Sequence, residues 1–120
     1  MLVEYKDVYQ PEGEPKRRWF FDNYFDLIVW YNQEGNIFGF QLCYDKPRNQ
    51  RALTWKSPSL YFHMRIDDGE NRPGNYKSTP ILVPDGIFDF KNIAERFKIV
   101  STNVDSNIAE LVYDNILNYK

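Results

Sequence analysis

The chain has 120 residues, of which 42% are hydrophobic, 27% charged and 18% aromatic, with a formal net charge of −2, an isoelectric point near 5.4 and a mean hydropathy of −0.62. These values exclude wholesale disorder, supply apolar surface for one core, and argue against a surface built throughout for nucleic acid. The charge is uneven: residues 1–45 carry four bases against eight acids, residues 46–80 seven against three, and residues 81–120 four against six, so an anion would be met in the middle third.

Cys43 is the only cysteine and cannot form an intrachain disulfide. No segment near the amino terminus shows the basic, long-apolar, small-residue order of a secretory signal, so a reducing cytoplasm is the expected location. The longest apolar run, residues 27–31, falls far short of the roughly 20 residues of a membrane helix, and no membrane partner is expected.

The sequence predicts a single globular domain over residues 1–120. Residues 1–18 hold a short strand within LVEYKDVY and then the charged, proline-containing loop QPEGEPKRR. In this reading Lys16, Arg17 and Arg18 belong to a solvated turn. Residues 19–67 form an antiparallel meander of β-branched and aromatic runs, because DLIVWY and IFGFQLCY flank the turn signal QEGN. With Glu34-Gly35 as a two-residue loop, Val29 faces Phe40, Leu27 faces Leu42, Trp30 faces Gly39 and Asp26 faces Cys43. Ser57-Pro58 reverses the next hairpin, pairing Trp55 with Leu60 and Leu53 with Phe62.

That phase sends Phe25, Leu27, Val29, Tyr31, Phe38, Phe40, Leu42, Tyr44, Leu53, Trp55, Leu60, Phe62, Met64 and Ile66 to one face. It turns Tyr24, Trp30, Cys43, Asp45, Tyr61, His63, Arg65 and Asp67 to the other. Residues 68–80 form a long charged loop. Residues 81–120 hold a short strand in TPILVP and two helices: DFKNIAERF, with Asp89 as its cap and Phe90, Ile93, Ala94 and Phe97 on one stripe, and DSNIAELVYDNILNY, with Ile108, Leu111, Val112 and Tyr119. Strands first and helices afterwards indicate an α+β fold, an antiparallel β-meander of about four to six strands with two carboxy-terminal helices over one face.

The candidate chemistry collects on the face opposite the helices. His63 with Asp45 or Asp67 has the composition of an acid–base pair, Asp45, Ala52 and His63 falling in one row of the expected register. Arg65, Arg72 and Lys77, with Arg48 and Arg51 from the preceding turn, could gather around a phosphate or carboxylate, and Tyr61 or Trp30 could stack on a ring. Cys43 and His63 stand two strands apart in that register, too far for a nucleophile and its base, so Cys43 reads as a small filler. Asp67, Asp68 and Glu70 beside His63 have the residue types of a hard-metal site without its spacing, and no dinucleotide, phosphate-loop, nucleophile-elbow or zinc pattern is present; no metal or cofactor is expected.

Three readings follow. The first is a cytoplasmic binding module that receives a small anionic ligand or a protein partner on the open sheet face beside residues 65–80. The second is a small enzyme using His63 with Asp45 or Asp67 on an anionic substrate. The third is a homo-oligomer, a homodimer for example, joined through the aromatic sheet face.

Overall fold

The computed structural model describes residues 1–5, 16–48, 50–67, 81–84 and 89–119, with backbone alone at 66–67 and 81–84. Strands β1 (Val3–Glu4), β2 (Lys16–Phe21), β3 (Asp26–Tyr31), β4 (Ile37–Tyr44), β5 (Arg51–Lys56), β6 (Leu60–Asp67) and β7 (Ile81–Pro84) form one antiparallel sheet in sequence order. Helices α1 (Phe90–Val100) and α2 (Ser106–Leu117) follow. The α+β architecture expected from the chain order is the one observed.

Lys16, Arg17 and Arg18 are the start of β2, not a solvated turn. Alternation along a strand separates the three bases, and Arg18 goes to the helix side. There it donates from Nε and Nη2 to the Glu4 carboxylate at 2.8 and 2.7 Å and from Nη1 to Asp105 at 2.7 Å. One guanidinium therefore ties the edge strand β1 and the residue before α2 to β2.

The β3–β4 register is the expected one from Asp26–Cys43 through Trp30–Gly39. It then shifts by a bulge between Trp30 and Tyr31, so Tyr31 faces Ile37, and Ile37 packs against the core in the position foreseen for Phe38. The turn is longer than two residues. Asn32 Oδ1 accepts from the backbone N–H of Glu34 and Asn36, both at 3.0 Å, and Gly35 takes a φ of 83° that favours glycine.

Across β4–β5, Cys43 faces Ala52 and Gln41 faces Thr54, a slip of two residues that leaves every side chain on its expected face. Across β5–β6 the slip is one residue: Leu53 faces His63, Trp55 faces Tyr61 and Lys56 faces Leu60. Three residues, Ser57, Pro58 and Ser59, make the turn where two were expected. Because side chains alternate with period two, that one residue exchanges the faces of Leu60 through Arg65.

The helices cover the face of Phe20, Leu27, Val29, Phe40, Leu42, Leu53 and Trp55. Asp89 accepts from Asn92 N–H at the start of α1, which buries Ile93, Ala94 and Phe97 at i, i+1 and i+4. Helix α2 buries Ile108, Val112 and Ile116 at spacings of four. Leu2, fully buried, donates its N–H to the Val100 carbonyl at 3.0 Å, while its own carbonyl accepts from Asn103 Nδ2 at 2.6 Å, so the amino-terminal strand is latched to the connection between the helices.

Candidate functional site

The exchange of faces on β6 moves the histidine. His63 is 5% exposed, inside the helix-covered interior, and its Nε2 lies 2.5 Å from the Tyr44 hydroxyl. Tyr119 stands edge-on to the imidazole with ring centres 5.9 Å apart, and the Tyr44 ring lies nearly parallel to it at 5.9 Å. The expected row of Asp45, Ala52 and His63 does not form: Ala52 faces Met64, and the row of His63 is Leu27, Leu42 and Leu53. Asp45 sits beyond the end of β4 with φ at 57° and begins the turn toward β5, its carbonyl accepting from Arg48 N–H at 3.1 Å. The side chain of Asp67 lies outside the described residues.

Three of the proposed anion ligands lie within the described residues. Arg51 and Arg65 are opposite one another across β5 and β6, with Arg65 exposed, and Arg48 is exposed in the preceding turn. Arg72 and Lys77, with Asp68 and Glu70, lie outside the described residues. The two expected stacking platforms are on opposite faces. Tyr61 points to the helices, where its hydroxyl donates to Asn115 Oδ1 at 2.7 Å and burial raises its pKa, whereas Trp30 is on the far face beside Gly39. No group of three metal-ligating side chains occurs among the described residues.

Cys43 and His63 are separated by the sheet itself, so they do not form a nucleophile and base. Burial first, and then the Asp26 charge, push the Cys43 thiol up to about 12, and Sγ contacts Gln41 Oε1 at 4.0 Å. A thiol in that state packs; it does not attack.

The phase that buries His63 turns a different set outward. Opposite the helices the sheet shows three rows. Arg17, Trp30, Gly39, Lys56 and Leu60 form the first, Trp19, Ile28, Gln41, Thr54 and Phe62 the second, and Phe21, Asp26, Cys43, Ala52 and Met64 the third. Leu60 is 50% exposed and Phe62 40%. At the β1 end Tyr5 stacks on Phe21 with ring centres 4.1 Å apart and meets Trp19 edge-on at 5.0 Å. The centre is low, because Gly39 has no side chain and Cys43 and Ala52 have small ones; a Cβ at Gly39 would come within 2.9 Å of the Trp55 carbonyl oxygen and 3.2 Å of the Trp30 ring. Among the polar groups there, Gln41 Nε2 donates to Thr54 Oγ1 at 3.1 Å, and Lys46 bridges the Asp22 carbonyl and Asp26 Oδ1 at 2.8 and 3.1 Å, while the Trp19 indole Nε1 is buried without a hydrogen-bond partner among the described residues.

Sequence reasoning missed Leu60, Phe62 and Met64 as outward groups and Tyr44 as the partner of His63. The signal available was the turn length, since a three-residue connection at Ser57-Pro58-Ser59 places His63 beside Leu53 and within the aromatic interior. Comparison with protein-family models, with curated proteins and with solved structures gave no match.

Proposed function

We propose that this chain is a protein-binding module whose contact surface is the sheet face turned away from the helices. The observation that carries the reading is the exposure of Leu60 and Phe62 on a face continued by Trp19, Phe21, Ile28, Trp30 and Met64. Apolar surface kept in water gains roughly 25 cal/mol for each Å² a partner covers, and aromatic anchors around a low centre are the usual composition of a protein contact. Arg17 and Lys56 lie in one row at one end of this face, so the complementary partner is a folded protein with an apolar centre and an acidic rim. The interior position of His63 favours binding over acid–base turnover.

A photo-crosslinking benzoylphenylalanine at position 62, compared in native cells with the same probe at position 99, tests the proposal. Ile99 is 70% exposed on α1 and serves as the control surface. An adduct of defined mass from position 62 and none from position 99 is expected. An adduct of twice the chain mass would make a second copy the partner, and equal or absent labelling at the two positions would overturn the assignment to this face.

A further inference from the structure

At the end of the molecule where the turn from β2 to β3 meets the last turns of α1, the chain leaves a hollow of about 710 Å³. That is ample for a small organic molecule, whose sites run from roughly 300 to 1,000 Å³. Val3, Phe21 and Val100 supply apolar wall, while Arg96 from α1 and Lys46 from the residues after β4 bring positive charge to it. Each cation is laid against a ring. The Arg96 guanidinium carbon is 3.7 Å from the centre of the Tyr24 ring, and Lys46 Nζ is 6.0 Å from that of Phe21.

The two cations differ in what else they hold. Lys46 is answered within the chain by Asp26 and the Asp22 carbonyl. Asp22 also lines the hollow, but its Oδ1 accepts from the N–H groups of Tyr24 and Phe25 at 2.7 and 2.6 Å, so this carboxylate is committed to the turn. Arg96 forms no ion pair or hydrogen bond with a described residue. A guanidinium meets a ring through its plane and an anion through its edge, so the stack on Tyr24 orients the fork and leaves its N–H donors for another partner. A fork held in that way beside an apolar wall is complementary to a carboxylate carried on an apolar body.

We infer that this hollow binds a monocarboxylate with an apolar or aromatic body, its two oxygens on Arg96 and its body against Val3 and Phe21. A free carboxylic acid and the last residue of a peptide share this chemistry. Amide NMR titrations of the full chain at low salt and neutral pH, with benzoate, with N-acetylphenylalanine and with the neutral amide of the latter, test it. Either anion should give saturating shifts at Tyr24, Phe25 and Val100, the tighter of the two identifies the source, and the amide should not saturate them. Arg96→Gln, at an exposed helix position, should keep the remaining spectrum and weaken the tighter anion by about tenfold or more. Lys98→Gln, the same loss of charge on another face of α1, should leave the affinity unchanged. Absence of saturation with both anions, an amide that binds as tightly as its acid, or equal affinities in the two variants would overturn it.

Discussion

A hydrogen bond between a tyrosine hydroxyl and an imidazole nitrogen in an interior of rings is poorly replaced by water, so it weighs more than the same bond in an exposed pair. Tyr44 is 4% exposed and His63 5%, with Tyr119 edge-on to the imidazole. Removing one member of such a pair leaves the other short of a bond in a medium that solvates it poorly. Tyr44→Phe is therefore expected to lower unfolding stability by about 1–3 kcal/mol, read from urea denaturation. In the double variant with His63→Leu the combined loss should be smaller than the sum of the single losses, because the second substitution removes the group that the first left unpaired. Additive losses would show that the two side chains act independently.

At the scale of elements, the joints are carried by few residues. Arg18 holds β1 through Glu4 and the entry to α2 through Asp105, which explains why α2 begins without a side-chain cap from Asp105. The hydrogen bond from Arg18 holds the Glu4 carboxyl below its ordinary value of 4.5, against the opposing pull of burial. A carboxyl depressed in the folded chain contributes stability that is complete above the unfolded value and disappears as pH falls through the folded one. Between about pH 5 and pH 3 the parent chain should lose stability more steeply than Glu4→Gln, and the two curves should converge at the acid end; parallel curves would remove Glu4 from the acid response. The clamp was not legible in the sequence, because nothing in KRRWFF says which of three adjacent bases turns inward until a strand and its partner charges, 14 and 87 positions away, are in place. The helices were legible for the opposite reason. Asp89, Ile93, Ala94 and Phe97 lie within nine positions, and the 3.6-residue period reports the buried stripe without reference to any distant element. The β3–β4 hairpin was legible in its register but not in its turn, where the Asn32 side chain, not Glu34-Gly35 alone, sets the loop.

The molecule as a whole is a sheet with two unlike faces, and which residues occupy each is decided by the parity of its turns, the three from β3 to β6 among them. Two of those parities can be read from apolar alternation, since Leu27, Val29, Phe40, Leu42 and Leu53 leave no polar alternative on their face. The third cannot, because β6 reads LYFHMRID, with large apolar or aromatic groups at both phases, and hydrophobicity alone is indifferent to a slip of one. The hydrogen-bonding needs of Tyr61 and His63, met by Asn115 and Tyr44, select the observed phase and leave Leu60, Phe62 and Met64 outside. The consequence can be measured on two phenylalanines of the same sheet. Phe40 is fully buried under the helices and Phe62 is 40% exposed on the far face. Phe40→Ala should cost about 3–5 kcal/mol, the transfer of the ring plus the cavity it leaves, while Phe62→Ser, which vacates a site already open to water, should cost about 1 kcal/mol or less. In the alternative phase the Phe62 ring would lie in the helix-covered core and its loss would rival that of Phe40. Urea unfolding followed by tryptophan fluorescence separates the two cases. If the Phe62 variant keeps its stability and loses the crosslinking partner captured from the same position, then the parity of one three-residue turn sets both what the core contains and what the outer face can bind.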